Sequence, residues 1–486
     1  MKMKDLEPKK VFEIFDEINQ VPRPSKKEGK IRQYLLDFAK KHNLDAKTDA
    51  IGNVVISKPA TPGHEDAPGI IMQAHMDMVC ESNDKNFDFE NNPITTIVEG
   101  DWVRADGTTL GADNGIGIAG ALAALTDDTL VHGPLEALIT VDEETGLTGA
   151  NNLGDDMIHG TMLLNLDSED DAEIFVGCAG GVDTTCTFTY HRSVAPTDFQ
   201  YFKVEIAKGQ GGHSGSDINA GRANAVQLLA RFLWTVSAEH ELSLCEIDGG
   251  NLRNAIPRAA HAVFGVHTSK RDNVVAAFNV FAAEVKNEYG PVEPTIELTI
   301  ESTERPEFAV DHDTTTHLIP ALYAAPHGVI SMSRDLEGLV ETSTNLASVK
   351  MIGENEILVT TSQRSSVESR KWDIAHRVEA LFTLAGAKVT HGDGYPGWAP
   401  NMDSTIMKIA GDAYKELYGI QPAIKAIHAG LECGLFLQKY PHLDMVSFGP
   451  TLQNVHSPSE RMYIPAVERF WGQLRRTIEK VAELKK

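Results

Sequence analysis

The sequence lacks long apolar runs. None of its 486 residues lies in a stretch approaching the roughly 18 apolar residues of a membrane-spanning helix. Basic residues are also few, 44 Lys and Arg against 69 Asp and Glu, so the formal net charge is −25. Phosphate groups would be repelled, which argues against nucleic acids and anionic membranes as partners. The charged stretch MKMKDLEPKK has no apolar segment typical of a signal peptide, so we expect a cytoplasmic protein.

Cysteine is scarce and odd in number, with five residues and no CxxC pair. This pattern is typical of a reducing compartment and argues against a disulfide framework or a zinc ribbon. Low-complexity segments and short repeats are absent from the sequence. At roughly 100–200 residues per domain, the length predicts two or three globular domains.

Apolar runs that resemble buried strands alternate with helical patterns near both ends of the chain. Ser25 and Glu28 have the spacing of a capping box, which predicts the start of an early helix. The pattern as a whole predicts an α/β domain, a mostly parallel sheet with helices on both faces. The predicted strands are 53–57, 69–74, 135–141, 162–166 and 445–448, and a helix is predicted at 115–125.

The middle of the chain differs from both ends, because its strand-like runs alternate between polar and apolar residues. This pattern predicts an antiparallel sheet with helices on one face, an inserted α+β lid domain over 184–396. Residues 1–183 and 397–486 would then form one catalytic domain. The segment EYGPVEP, 288–294, could divide the insertion into two halves near 290.

Acidic and histidine side chains follow several predicted strands or precede a predicted helix. Binding sites in open α/β sheets form beyond the carboxyl ends of the strands, so we expect these side chains to meet. Together they carry too much negative charge to be held without cations, and two divalent metal ions would balance it. The residues are His75, Asp77, Asp113, Glu143, Glu144, Asp167 and His456.

Glu143 is the carboxylate left over once the metal charges are balanced. If the chain is extended there, Glu143 points away from its neighbour Glu144, as adjacent strand residues do. A free carboxylate beside metal-bound water is suited to act as a general base. Taken singly, these residues have ordinary alternatives: His456 as a loop histidine, Asp113 as a helix cap, and DEETG as a solvated turn.

The chain resembles the di-zinc metallopeptidases of the aminoacylase and carboxypeptidase G2 group in a set of motifs that occur in the same order. They are HMD (75–77), GADNG (111–115), DEETG (142–146), Asp167 and His456. The segments GCAGG, GGHSG, NLRNAIPR, HAGLECG and GPTLQNVHSPSE are similar to those of the bacterial aminoacyl-histidine dipeptidases. The resemblance extends over essentially the whole chain. It implies a cytosolic enzyme that hydrolyses Xaa-His dipeptides, including carnosine.

The resemblance also implies a metal-binding arrangement. His75 and Asp167 would hold one Zn²⁺, Glu144 and His456 the other, and Asp113 would bridge them. Manganese or cobalt could replace zinc on such ligands.

Further roles follow from the same resemblance. Asp77 would orient His75, and Glu143 would be the general base and acid beside zinc-bound hydroxide. His213, in the predicted lid, would match the histidine that supports the oxyanion. Three positions would contact the substrate, Asn254, Arg364 and Glu432; Arg364 would bind the dipeptide carboxylate unless it is an ordinary surface arginine.

Other functions share much of this pattern. An acylase, a deacetylase or an aminotripeptidase of the same group would have the same metal ligands, and a non-catalytic metal-binding relative is a further alternative. Dimeric relatives supply the matching histidine from the partner subunit. We therefore expect a homodimer in which His213 acts in trans, with a dipeptide as the substrate.

Overall fold

The computed structural model describes residues 3–484. They form two compact units. The first unit contains the described residues 3–177, 400–426 and 431–484, and the inserted unit contains Cys178–Ala399 and Ile427–Gly430. Within the described range, no helix has the length and apolar character needed to cross a membrane.

Strands occur along most of the described chain. In chain order they are β1 Asp45–Thr48, β2 Val54–Lys58, β3 Ile70–His75, β4 Thr96–Glu99, β5 Trp102–Ala105, β6 Leu135–Thr140, β7 Met162–Asn165, β8 Glu173–Cys178, β9 Gly180–Thr189, β10 Arg192–Val194, β11 Phe199–Ala207, β12 Leu242–Gly250, β13 Ala260–His267, β14 Glu297–Thr303, β15 Phe308–Val310, β16 Gly328–Met332, β17 Val340–Ile352, β18 Glu356–Ser365, β19 Lys388–His391, β20 Ala423–Ile427, β21 Asp444–Ser447, β22 Leu452–Gln453 and β23 Arg461–Tyr463.

Helices vary from single turns to five turns. In chain order they are α1 Lys9–Asn19, α2 Gly29–Lys41, α3 Ala112–Leu125, α4 Glu143–Gly146, α5 Thr148–Asn151, α6 Ala225–Glu239, α7 Arg271–Tyr289, α8 His312–Ala324, α9 Glu368–Leu384, α10 Thr405–Tyr418, α11 Glu432–Lys439 and α12 Ile464–Ala482, with short 3₁₀ helices at Met3–Asp5 and Thr268–Lys270.

The first unit is built on an eight-stranded sheet in the order β1-β2-β6-β3-β7-β21-β8-β20. Its four central strands, β6, β3, β7 and β21, pair in parallel, whereas β1, β2 and β8 pair antiparallel toward the edges. Every residue of β3, β6 and β7 is buried. Such strands read as continuous apolar runs, which is why the sequence predicts them well. The α/β class is confirmed, with a mixed sheet whose centre is parallel.

A second, smaller sheet of the first unit has the order β22-β23-β5-β4. In it, β23 pairs antiparallel with β5 through Met462 and Val103. The pairing holds the end of the loop that carries His456.

The inserted unit contains a nine-stranded sheet in the order β14-β11-β13-β12-β17-β18-β9-β19, with β16 paired to β17. All the pairings of β11, β12, β17 and β18 are antiparallel. Helices α6 to α9 share one apolar core with this sheet, which contains Phe232, Phe281 and Phe382 of the helices and Phe202 and Phe264 of the strands. An antiparallel sheet with helices packed on it therefore agrees with the alternation in the sequence.

The boundaries of the inserted unit differ from the predicted 184–396. Strand β9 begins at Gly180, and the backbone of Cys178 pairs with that of Trp398. The short segment Ile427–Gly430 also joins this unit, because the Ala179 amide donates to the carbonyl of Ile427.

The predicted division near 290 is wrong. Strand β14, which follows that segment, pairs with β11, which precedes it. One sheet therefore continues through the whole insertion.

Candidate metal centre and active site

The carboxyl ends of the central parallel strands carry the side chains predicted from the sequence. His75 is the last residue of β3, and Asp167 lies two residues beyond β7. Glu143 and Glu144 follow β6, and His456 lies in the loop between β22 and β23, which come after β21 in the chain. Because the four strands are parallel, these ends share one edge of the sheet.

Asp113 lies between two imidazoles. Its Oδ1 is 3.0 Å from Nε2 of His75, and its Oδ2 is 3.1 Å from Nε2 of His456. Each imidazole also faces a second carboxylate: Nε2 of His75 is 3.3 Å from Oδ1 of Asp167, and Nε2 of His456 is 3.1 Å from Oε2 of Glu144. The five side chains thus form two imidazole–carboxylate groups that share Asp113.

Two features of these groups fit metal ions: the spacing of their ligand atoms, and a buried oxygen that lacks a hydrogen-bond partner. Ligand atoms of a tetrahedral zinc ion lie about 3.3 Å apart, because each is roughly 2.05 Å from the metal. The distances of 3.0–3.3 Å match this spacing. In addition, Oε1 of Glu144 is buried without a hydrogen-bond partner, and Oδ1 of Asp167 faces only the imidazole of His75 among the described residues. A buried carboxylate oxygen without a donor needs a cation to offset the cost of its desolvation.

Asp77 connects the two halves of the cluster. This carboxylate is fully buried, and its Oδ1 lies 3.3 Å from Nδ1 of His75. The same side chain accepts hydrogen bonds from the backbone amides of Glu143 and Glu144, at 3.0 and 3.3 Å, and from the Ser25 hydroxyl at 2.8 Å. Asp77 therefore fixes both the ring of His75 and the turn that carries the two glutamates.

The chain at Glu143 is not extended, contrary to the sequence-based expectation. Glu143–Gly146 forms one helical turn, flanked by Asp142 (φ 49°) and Leu147 (φ 54°) in the left-handed region. The Asp142 carboxylate accepts hydrogen bonds from the hydroxyls of Thr145 and Thr148, which stabilises this bend. The divergence of the two glutamates thus arises from helical rotation rather than from strand alternation.

The expected capping box at Ser25 and Glu28 is also wrong. Ser25 donates to Asp77, and α2 begins only at Gly29, with Glu28 as its N-cap residue and no side-chain cap hydrogen bond. Oε1 of Glu28 instead accepts from the backbone amides of Lys26 and Asp142.

Several side chains of the cluster have raised pKa values. Hydrogen bonds to Asp113 and Glu144 raise the pKa of His456 to about 11. Burial raises the pKa of Asp167 to about 6, although His75 opposes the shift. Burial likewise raises the pKa of Glu143 well above the ordinary glutamate value. Such displaced values within one group of side chains are typical of functional sites.

Glu432 belongs to a row of buried polar side chains that are joined by hydrogen bonds. Its Oε2 accepts hydrogen bonds from Gln73 at 2.6 Å and from Thr140 at 2.9 Å, while its Oε1 is buried without a hydrogen-bond partner. The row continues through Asn165 to Ser447 on neighbouring strands. Burial raises the pKa of Glu432 to about 8.

Sequence reasoning missed two buried charged residues. The Glu460 carboxylate accepts hydrogen bonds from the amides of Leu110, Gly111 and Ala112, at 2.7, 3.0 and 2.8 Å, at the start of α3. Arg23, 1% exposed, donates to the carbonyl oxygens of Asp77 (3.1 Å) and Gly111. These contacts hold the loops that carry Asp77 and Asp113. Glu460 lay within the motif GPTLQNVHSPSE, whereas no pattern distinguished Arg23.

His213 belongs to the inserted unit. Its Nδ1 accepts hydrogen bonds from the backbone amides of Gly215 and Ser216, both at 3.2 Å. Burial lowers the pKa of His213, and the charge of Arg364 adds to this effect. A neutral ring that accepts at Nδ1 carries its hydrogen on Nε2, so His213 presents an N–H donor there.

Arg364 and Asn254 also belong to the inserted unit. Arg364 is 8% exposed, so the alternative of an ordinary surface arginine is wrong. One guanidinium nitrogen donates to the Tyr395 hydroxyl at 3.0 Å, and the buried Nε has no hydrogen-bond partner. Asn254 is exposed, and its carbonyl accepts from the amide of Ser214 at 2.8 Å.

Comparison with known proteins gives the family. The family model described as peptidase family M20/M25/M40 matches residues 71–480. The chain belongs to this peptidase family. It is a metallopeptidase, as the resemblance of its motifs predicted. The assignment to metal-dependent peptidases agrees with the imidazole–carboxylate groups around Asp113.

Two relatives of this M20 peptidase match over nearly their whole length. A cytosol non-specific dipeptidase of Escherichia coli (strain K12) is 40% identical over 480 residues, 99% of each chain. The crystal structure of an aminoacylhistidine dipeptidase from Vibrio alginolyticus has a TM-score of 0.94 and 41% identity, covering 100% of this chain and 99% of that one. A tripeptidase from Staphylococcus aureus has a TM-score of 0.58 at 17% identity, covering 99% of this chain and 100% of that one, which shows a shared fold alone.

Proposed function

We propose that this chain hydrolyses dipeptides, with Xaa-His dipeptides such as carnosine among its substrates. One observation carries the proposal: Asp113 shares its two oxygens between two imidazole–carboxylate groups at the carboxyl ends of parallel strands. The full-length relatives named as dipeptidases support the substrate class. We further propose a cytoplasmic location, in line with the name of the E. coli relative.

The proposed cofactor is a pair of Zn²⁺ ions. His75 and Asp167 would hold one ion, Glu144 and His456 the other, and Asp113 both. When bound, the ions supply Lewis acidity, which lowers the pKa of a coordinated water and polarises the scissile carbonyl. The buried Oε1 of Glu144, which has no hydrogen-bond partner, supports this assignment.

Glu143 is the proposed general base and acid. It takes a proton from the attacking water and gives it to the leaving amine as the peptide bond breaks. Its backbone amide is held by Asp77, so the side chain starts from a fixed turn. A pKa raised by burial suits a carboxyl group that must hold the proton between the two steps.

Two residues of the inserted unit are proposed to bind the substrate. Arg364 would pair with the terminal carboxylate, a role supported by its buried guanidinium nitrogen that lacks a partner. His213 would donate from Nε2 to the developing oxyanion. Asn254 and Glu432 are proposed as further substrate contacts.

The proposed assembly is a homodimer in which His213 of the partner subunit completes each site. Complementation tests this proposal: His213→Ala and Glu143→Gln proteins, each inactive, are mixed under conditions that allow subunit exchange. Mixed dimers would regain one site with an intact Glu143 and a borrowed His213, and hence measurable activity. Verified exchange without recovered activity, or an active monomer, would reject action in trans.

A substrate panel tests the reaction itself. We expect turnover of Xaa-His dipeptides and of other dipeptides, and much weaker turnover of tripeptides and N-acyl amino acids. An acylase, a deacetylase or a tripeptidase would have the same metal ligands but would prefer N-acyl amino acids or tripeptides to dipeptides. The kcat/KM for carnosine relative to alanyl dipeptides would separate a preference for histidine from broad dipeptide specificity.

A further inference from the structure

The inserted unit holds a second group of metal-binding side chains. His376 and Glu379 lie three residues apart on α9 and therefore on one face of the helix, and His391 ends β19. Each can present one ligand atom so that the three atoms lie within 4.8 Å of one another. None of these residues takes part in the proposed peptide hydrolysis.

Buried hydrogen bonds fix the ring of His391. Thr361 donates its hydroxyl hydrogen to the carbonyl of Thr184, so it accepts from Nε2 of Gln363 at 2.7 Å. This sets the Gln363 amide with Oε1 facing the Thr184 hydroxyl, which donates to it at 2.7 Å. Thr184 has no second hydrogen to give, so at 2.9 Å it accepts one from Nδ1 of His391.

The consequence lies on the other side of the ring. With its hydrogen on Nδ1, a neutral His391 turns the lone pair of Nε2 toward Glu379, whose Oε2 is 3.3 Å away. Two electron-rich atoms at this distance repel unless a cation, either a proton or a metal ion, lies between them. His376 adds a second imidazole at the same point.

We propose that His376, Glu379 and His391 bind a divalent metal ion, with Zn²⁺ the favoured species. Two imidazoles, one carboxylate and a water molecule form a familiar tetrahedral zinc set. The separation of 3.3 Å between Nε2 and Oε2 equals the expected spacing of two such ligands. Thr184 accepts a hydrogen bond from Nδ1 of His391, and zinc-bound histidines commonly donate such a bond from the ring nitrogen that does not bind the metal. The ion joins α9 to the edge strand β19.

Metal analysis of the full-length protein tests the proposal. Wild type, His376→Ala and His391→Ala proteins are dialysed against the same Zn²⁺ buffer, and zinc is counted per chain. Both variants should bind about one Zn²⁺ fewer than wild type, with kcat for dipeptides unchanged. The matched control is His317→Ala, since exposed His317 pairs on α8 with Asp313 at 3.7 Å. Equal zinc contents in wild type and His376→Ala would overturn the proposal and leave a proton as the bridging cation.

A spectroscopic readout separates this site from the hydrolytic centre. The ring of Trp372 lies 5.8 Å from that of His376 and 5.7 Å from that of His391. Co²⁺ bound between the two histidines should quench Trp372 fluorescence. The component of quenching that disappears in Trp372→Phe should also disappear in His376→Ala, even though the hydrolytic centre still takes up cobalt. Identical Co²⁺ quenching in wild type, Trp372→Phe and His376→Ala would contradict the assignment.

Discussion

Replacing Glu143 by glutamine removes a proton acceptor while nearly preserving the size of the side chain. The backbone amide of residue 143 would still donate to Asp77, so the turn that carries Glu144 should keep its shape. Glu143 is not one of the proposed metal ligands, so the variant should still bind both metal ions. The expected loss is therefore confined to proton transfer, about 10²- to 10⁴-fold in kcat. This equals about 2.7 to 5.4 kcal/mol of transition-state stabilisation, at roughly 1.36 kcal/mol for each factor of ten.

The assay for this variant is the hydrolysis of an Xaa-His dipeptide at saturating substrate, with zinc counted in the same preparation. Glu99→Gln is the matched control, because Glu99 is exposed in the same unit and pairs with Arg104 at 2.7 Å. It should behave like wild type. A fully metallated Glu143→Gln enzyme with near-normal kcat would refute the role of Glu143. Loss of metal from the variant would instead show that Glu143 is a ligand.

Three further outcomes are expected. Asp113→Ala should lose activity and both hydrolytic metal ions. The control Asp106→Ala, which removes an exposed carboxylate, should lose neither. If Asp113→Ala retains two ions and full activity, Asp113 is only a helix cap. Arg364→Lys keeps the charge but loses the planar donor pair, so KM for dipeptides should rise roughly tenfold with little change in kcat; an unchanged KM would exclude carboxylate binding. Hydrogen bonds to Asp113 and Glu144 raise the pKa of His456 to about 11, so this imidazole is protonated at pH 7 in the metal-free protein and must lose a proton on binding metal. Apparent zinc affinity should therefore increase with pH. Calorimetry in buffers of different ionisation enthalpy would detect the released proton, and binding of zinc at pH 7 without proton release would contradict this expectation.

The positions of the metal-site side chains could be anticipated because they depend on a simple relation. Apolar runs such as β3 and β7 are recognisable as buried parallel strands, and residues just beyond their carboxyl ends must share one edge. His75 and Asp167 follow directly from this reasoning. The fold class follows from the same pattern.

The contacts that hold the cluster could not be anticipated, because they join distant parts of the chain. Glu460 binds amides that lie 350 residues earlier in the sequence, and Arg23 reaches Gly111. Neither contact leaves a periodic signal. The turn at Glu143 was misjudged for a local reason. The left-handed residue Asp142 ends the extended chain before the glutamates begin, and the left-handed residue Leu147 ends the helical turn after them.

Strand β17 has a polar sequence although most of its residues are buried, so no apolar run marks it in the sequence. Thr344 and Asn345 are at most 1% exposed. Neighbouring strands on both sides satisfy the backbone, and the Asn345 side chain donates to the carbonyl of Ala255 at 2.8 Å. Burial of polar side chains depends on such partners, which only the folded chain supplies.

Zinc titration of the metal-free protein tests whether hydrolysis requires two metal ions that share Asp113. The measurement is best made in the His376→Ala background, which removes the proposed site of the inserted unit. Rates of Xaa-His hydrolysis are followed while Zn²⁺ is added at a protein concentration well above the dissociation constants. Activity should saturate at about two Zn²⁺ per chain. Saturation at one ion per chain, or full activity in the metal-free protein, would contradict it.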